Sequence, residues 1–552
     1  MMMIRQRWGS SATAGALLLL VGLPVAMIVL QAVFPQWHQG SFTQAFQGLA
    51  RQLAQPQVWG LAGDTLALGL TVAAISAAIG IPLGAARALF ALPGARLWDL
   101  LFLIPFLLPP YICALSWTLA LQSRGYVHQV LGWDGSAWLF TPWGVALVMS
   151  LNTFPVVYFA VSRSMAGGGR YLGRVARVCG ASPAQAFARV ILPLALPAIL
   201  ASLLLAFTLS IEEYGVPAAL GTQAGLSVLT VAIERRLSDW PVDLSGAAML
   251  SLILMLLALT VYAVQRAMLA GRQFETQLGR PVASAPASLG LWRWPVLLVF
   301  ALTALSAVGV PLAALLLGAL SRTVSGGVAW GNLGLDHFRT LLQGGDGALQ
   351  SLGSSMGLAL ATACLTALLG VAAACHAQDA RTRLAGFLDG LSLMPAAIPG
   401  IVVGVGLILA WNQAFWPLTP YGTLFILVLS YSCLLLPYPV RYAGAALRQM
   451  SPSLAAAARV HGASGVQAFW RITLPQIWPS VLAAMLMVFA VSSRELVTSL
   501  LLAPAGVSTV SIYIWRQFEQ GSIGQGMAMA CVAMAASLGL MLAALRLQRR
   551  AG

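Results

Sequence analysis

The chain has 552 residues, 59% of them hydrophobic and only 8% charged, with a mean hydropathy of +0.85. A water-soluble protein cannot bury so large an apolar fraction, so a polytopic membrane protein is expected. The net charge of +15 rests on arginine alone; the absence of lysine excludes a phosphate-binding loop ending in Gly-Lys-Ser/Thr and excludes Schiff-base chemistry.

In chain order, an apolar run at 12–34 follows Arg5 and Arg7. It resembles a signal peptide, but it lacks a clear small-residue cleavage site and is long enough to span, so it reads as a retained first helix. Further spans are expected at roughly 62–87, 97–121, 140–162, 191–211 and 246–267, and then at 294–320, 352–376, 384–411, 420–442, 474–493 and 525–546. The polar, arginine-bearing segment 271–293 reads as a linker between a first half, 1–270, and a second half, 294–552. The expected fold is an all-α polytopic membrane protein with about twelve transmembrane helices in two parallel six-helix repeats.

Arginine placement sets the expected topology. With the N-terminus inside, the inner segments hold most arginines, among them Arg163, Arg170, Arg174, Arg177, Arg441, Arg448, Arg459 and Arg471. The outer segments hold Arg51, Arg124, Arg235, Arg236, Arg322, Arg339, Arg494 and Arg516, and most of the acids. This positive-inside pattern accounts for the charge without nucleic acid as a partner and puts both termini in the cytoplasm.

The clearest repeated stretch lies at 171–193 and again at 451–475. At an offset of 282, Ala176 falls on Ala458, Arg177 on Arg459, Gly180 on Gly462, Ala181 on Ala463 and Ser182 on Ser464. Phe187 falls on Phe469 within a shared Gln-Ala-Phe run, and Pro193 falls on Pro475. Within these stretches the matched windows of 20 residues begin at Arg174 and Ala456. Each copy is expected to form two short helices bent around the glycine, which can adopt the left-handed C′ conformation. The second helix should start from a serine cap and end near Leu-Pro, where a span begins. An even number of spans separates the copies, so both should face the cytoplasm.

Other pairs extend the repeat. Pro105 and Pro109 match Pro395 and Pro399, Gly80 matches Gly370 and Asp99 matches Asp389, at an offset of 290; Pro155 matches Pro437 and Glu213 matches Glu495, at 282. Prolines inside a span break helix hydrogen bonds and are tolerated where the segment faces a cavity or another helix. Two readings stand for them: they line a path, or they only kink the chain. Glu212, Glu213, Arg494 and Glu495 sit at the outer ends of spans, where charge is costly unless it meets protein or water. They are candidates for the path or outer gate, with an ion pair or a solvated helix end as the alternative. The histidines are scattered and the six cysteines include no CxxC, so neither a metal site nor a catalytic grouping is expected.

The repeated stretch resembles the cytoplasmic coupling motif of ABC-importer permeases, E-A-A-x3-G-x9-I-x-L-P. Ala176 and Ala458 take the second Ala, Gly180 and Gly462 the Gly, Val190 and Ile472 the Ile, and Leu192-Pro193 and Leu474-Pro475 the close. The motif's Glu is replaced by Arg174 and by Ala456, so Arg177 and Arg459 are expected to take part of its load. A fused pair of such halves is similar to the ferric-iron permeases, with thiamine and 2-aminoethylphosphonate permeases as relatives. The segments EYGVPAALG (213–221) and RELVTSLLLAPAG (494–506) look like the ferric-iron group in particular.

The resemblance implies the membrane subunit of a binding-protein-dependent importer in the bacterial inner membrane. Its partners would be a periplasmic solute-binding protein and two copies of a cytoplasmic ATPase that uses ATP and Mg, while this chain binds no cofactor. Iron, thiamine, phosphonate and polyamine stay open as substrates. An ion-gradient-driven secondary transporter would also suit parallel six-helix halves, but it would be expected to carry mid-span acids, which are nearly absent here.

Overall fold

In a computed structural model, residues 11–37, 41–43, 45–270, 285–377 and 383–551 are described. Most of the expected linker 271–293, and the side chains of Ala456 and Arg459, lie outside the described residues. The described chain is helical, with two isolated β-bridges and no longer strand.

The spans of the first copy are α1 (Ser11–Val33), α2 (Pro56–Leu89), α3 (Ala95–Leu107) with α4 (Pro110–Leu121), α5 (Pro142–Ser164), then α6 (Arg170–Val178) leading to α7 (Pro183–Glu212), and α8 (Leu244–Ala270). Those of the second copy are α9 (Gly290–Leu320), α10 (Ala348–Ala377), α11 (Arg383–Leu393) with α12 (Gly400–Trp411), α13 (Leu424–Leu435) with α14 (Pro437–Gln449), then α15 (Pro452–Val460) leading to α16 (Gly465–Ser492), and α17 (Ile523–Ala551). Among the described residues, 8 helices are long and apolar enough to cross a bilayer, and 11 if each sharply bent pair counts as one. The shorter apolar stretch Ile523–Ser537 of α17 brings every expected segment into register with a helix.

Three spans are broken. The helix axis turns by 96° between α3 and α4 and by 115° between α11 and α12, at the paired prolines. A 48° bend separates α13 from α14 at Pro437, whereas its repeat partner Pro155 lies inside α5 without interrupting it.

Two compact units are present, and they cut across the sequence halves. The first comprises Gln55–Ala232 and Leu256–Gly334; the second comprises Met1–Ala54, Ile233–Met255 and Leu335–Gly552. The opening span of each copy therefore packs in the unit built mainly from the other. In the second unit α1 lies on α12, with Leu17, Val21, Ile28 and Ala32 fully enclosed. In the first unit Phe300 of α9 stacks on Phe102 (centroids 5.6 Å, planes 21° apart), beside Phe154 and Tyr158. Such aromatic contacts add about 0.5–1.5 kcal/mol each beyond the area they bury.

Within the units the duplication is visible atom by atom. A Cβ on Gly80 would come 2.8 Å from Val157 on α5, and a Cβ on Gly370 would come 2.8 Å from Pro439 on α14. Val157 and Pro439 are themselves related by the offset of 282. The glycines let the second and fourth spans of each copy approach closely, as small residues do between membrane helices. At the other end, Thr65 Oγ1 accepts from the Leu229 amide (2.9 Å) and Ser355 Oγ accepts from the Val510 amide (2.8 Å). Each hydroxyl on a second span thus satisfies an amide at the start of a short helix, Leu229–Ser238 or Val510–Glu519.

Candidate functional site

The twin stretches fold alike. Helix α6 ends in a Schellman turn: the Gly180 amide donates to the Arg177 carbonyl (3.1 Å) and the Ala181 amide to the Ala176 carbonyl (3.0 Å). In the second copy the Ala463 amide donates to the Ala458 carbonyl, also at 3.0 Å. Gly180 has φ +93° and Gly462 has φ +82°, and a Cβ at either position would meet nothing within 4 Å. Backbone handedness, not crowding, is what requires glycine there.

Each turn delivers the chain to a capping box. Ser182 Oγ accepts from the Gln185 amide (3.2 Å) while Gln185 Oε1 accepts from the Ser182 amide (3.0 Å). Ser464 and Gln467 repeat both bonds at 3.3 and 2.9 Å. Two backbone amides that a helix start leaves without partners are satisfied reciprocally.

The helix that follows does not stop at Leu-Pro, as the sequence led us to expect; α7 and α16 run on into their spans. A π-turn, Phe187–Ile191 or Phe469–Thr473, lies directly before each Leu-Pro. The Leu192 amide reaches back five residues to the Phe187 carbonyl, and Leu474 does the same to Phe469. The wider turn makes room for the ring of Pro193 or Pro475 and re-routes the hydrogen bond that proline cannot donate.

The loops are anchored from beneath and bare on top. Phe187 packs on a buried cluster that includes Met165, Ala195 and Ile199 in the first unit. Phe469 packs against Leu447, Ile477 and Val481 in the second, which occupy equivalent positions. Ala186 and Ala468 are buried, while Gly180, Ser182, Gly462 and Ser464 are exposed and Ala181 and Ala463 half-buried. Arg174 donates to the Ala285 carbonyl, whereas the Arg177 side chain stands exposed with no hydrogen bond or ion pair among the described residues. Ala456, Ala458 and Arg459 occupy the matching turns of α15.

One matched pair is absent from the expected coupling residues. Val178 is 89% exposed and Val460 is 85% exposed, at identical positions just before each turn glycine. Each valine is an apolar side chain left uncovered among the described residues, presented at the same place beside each turn. A single valine in a sequence rich in valine gives no signal; only its repetition in a polar context could have marked it.

The charges at the ends of α7 and α16 separate into two kinds. Glu213 Oε1 accepts from the Gly215 amide at 2.8 Å, and the Glu495 carboxylate accepts from the amides of Thr498 and Ser499 (3.1 and 3.2 Å) and from Thr498 Oγ1 (2.7 Å). Both matched glutamates spend their carboxylates on local backbone donors, a positioning role. Glu212 differs. Its Oε1 is buried with no hydrogen bond among the described residues, and its repeat partner is Arg494, of opposite charge.

At the broken spans, Pro105 lies inside α3 and Pro109 precedes α4; Pro395 and Pro399 flank the break before α12. In the first unit Asn152 of α5 donates to the Pro105 carbonyl (2.6 Å) and the Leu108 carbonyl (3.3 Å), satisfying backbone acceptors at the break. The segment after each break is enclosed, with Val402, Val405 and Leu407 of α12 fully buried.

Among the described residues no group of three or more His, Cys, Asp or Glu is placed to hold a metal ion. A ferric transport system permease protein of Actinobacillus pleuropneumoniae, FbpB, is 26% identical over 98% of this chain and 79% of its own length. The Fe(3+)-transport system permease protein FbpB 2 of Haemophilus influenzae is 24% identical over 91% of each. A 2-aminoethylphosphonate transport system permease protein of Salmonella typhimurium, PhnV, described as putative, is 28% identical over 44% of this chain and 90% of its own. The family described as the binding-protein-dependent transport system inner membrane component matches residues 78–272 and again 366–551, and each match contains one of the twin loops with its Schellman turn, its capping box and the π-turn before Leu-Pro. The chain belongs to that family, as a tandem of two of its inner-membrane transport domains.

Proposed function

We propose that this permease carries ferric iron across the inner membrane, receiving it from a periplasmic binding protein and drawing its energy from two copies of a cytoplasmic ATPase. The observation that carries this reading is the pair of loops at 171–193 and 451–475, identical in backbone device and each bare on one side. Two equal docking points suit two equal motors. The ferric choice is supported by relatives named for iron that align along nearly the whole chain, whereas the phosphonate relative covers under half of it.

In this scheme each loop is a lever. The Val178 or Val460 knob enters an apolar socket on an ATPase, and Arg177 or Arg459 pairs with acidic groups around the socket. Closure of the ATPases on ATP and Mg draws the loops together. The continuous helices α7 and α16 carry that motion outward, because the π-turn keeps each loop in one helix with its span. Glu212 lies at the end of α7 as a buried carboxyl that the transport motion would turn toward a passing cation; Glu213 holds the backbone beside it, and Glu495 holds the backbone at the matching position of the second copy. Both termini are inside, the chain itself holds no cofactor and no catalytic group, and hydrolysis belongs to the partner.

Co-purification of the tagged permease with its ATPase tests the reading. Arg177→Glu and Arg459→Glu together should lower the ATPase recovered by at least about tenfold, the scale of two charge-assisted contacts. Undiminished recovery from the double variant would overturn the assignment of these arginines.

A further inference from the structure

At the end of the first unit that leads into its coupling loop, a cavity of about 360 Å³ opens between α2, α3 and α5. Arg87, Asp99, Ser162 and Arg163 line it, over Phe159 and Ala166. Arg87 is held in place by Asp99 through Nε (3.0 and 3.1 Å) and Nη2 (2.6 Å), and Tyr158 donates to the same carboxylate at 2.7 Å. Those bonds fix the Arg87 guanidinium at the cavity wall and leave Nη1 free of hydrogen bonds among the described residues. Arg163 is exposed and makes no hydrogen bond or ion pair among them. Arg170 donates to the Ala88 carbonyl and stands within electrostatic reach of Arg87 and Arg174. The cavity is thus lined by two guanidinium groups, Arg87 and Arg163, and a single carboxylate, which is already engaged.

The second copy carries none of this. Arg87, Ser162, Arg163 and Arg170 are replaced at equivalent positions by Ala377, Gly444, Ala445 and Pro452, and Asp389, the partner of Asp99, is exposed. The coupling device itself is duplicated, so a feature present in one copy only serves something other than coupling. We infer that this cavity binds a phosphate oxyanion, with Arg163 as its mobile ligand and Arg87 as its fixed one. Guanidinium groups match phosphate in geometry and charge, and the volume is many times the roughly 30 Å³ of one water. Leu97 and Leu100, exposed on α3 beside Asp99, offer apolar surface for an acyl chain, which favours a phospholipid headgroup as the source.

The test uses the purified full chain in phosphatidylcholine vesicles with increasing phosphatidylglycerol, and in parallel with inorganic phosphate alone. Binding is read as retained anionic lipid and as the rise in unfolding temperature. Wild type should retain phosphatidylglycerol, Arg163→Gln should bind it about fivefold more weakly, and Arg448→Gln, on the second copy, should match wild type. If inorganic phosphate alone gives the same Arg163-dependent shift, the site stands and its ligand is a soluble phosphate. Equal retention by Arg163→Gln and wild type, or an equal loss in Arg448→Gln, would overturn the inference.

Discussion

Gly180 shows how one residue sets the direction of a helix. At φ +93° a side chain is strained by about 1–2 kcal/mol, so Gly180→Ala should leave membrane insertion intact and lower ATP-dependent transport, with Gly462→Ala doing the same in the second loop. A transport assay on membranes with matched permease content checks this; equal transport would mean that the turn tolerates another geometry. Val178 and Val460 make a sharper prediction. Val178→Asp with Val460→Asp should abolish ATPase co-purification while the thermal stability of the permease changes by less than about 0.5 kcal/mol, as for surface sites generally. Glycine and serine at these turns were legible in the sequence, because turn handedness and capping chemistry admit few residue types. The valines were not, since their meaning lies in exposure and exposure has no residue-type signature. The role of Glu213 and Glu495 was likewise hidden: charge at a span end reads as function, and only the hydrogen-bond geometry shows both acids serving nearby amides.

At the scale of elements, apolar runs located the spans and the paired prolines marked the two broken third spans, whereas the tight contact between second and fourth spans at Gly80 and Gly370 emerges only in the structure. Gly80→Leu or Gly370→Leu would drive a side chain into α5 or α14, costing about 1–3 kcal/mol by overpacking. The expected result is a lower unfolding temperature in detergent; an unchanged one would mean that the helices separate freely. Asn152→Leu should destabilise the first unit by about 1–3 kcal/mol, because the Pro105 and Leu108 carbonyls lose their donor, and Asn152→Gln should recover part of the loss. The π-turns escaped the sequence reading because Leu-Pro looks like a stop. A proline ends an α-helix only when the turn before it cannot widen, and here it widens in both copies. The same limit applies to Pro155 and Pro437: equivalent residues, yet only one coincides with a bend.

At the scale of the molecule, the duplication was legible and the packing units were not. The opening spans are apolar throughout, so nothing in composition says which copy each will join, and α1 and α9 each pack with the other copy's helices. That exchange ties the two repeats into one machine in which neither half is a separable unit, and expression of residues 1–270 alone should give an unstable product. The account's central claim is that two matched inner levers let a separate ATPase drive the permease. Its most direct test is iron accumulation by proteoliposomes holding the permease and its ATPase, with iron-loaded binding protein outside and ATP inside. The account predicts uptake that requires hydrolysable ATP, falls strongly when either valine knob becomes aspartate, and disappears when both do. Uptake that persists without the ATPase, or with both knobs replaced, would contradict it.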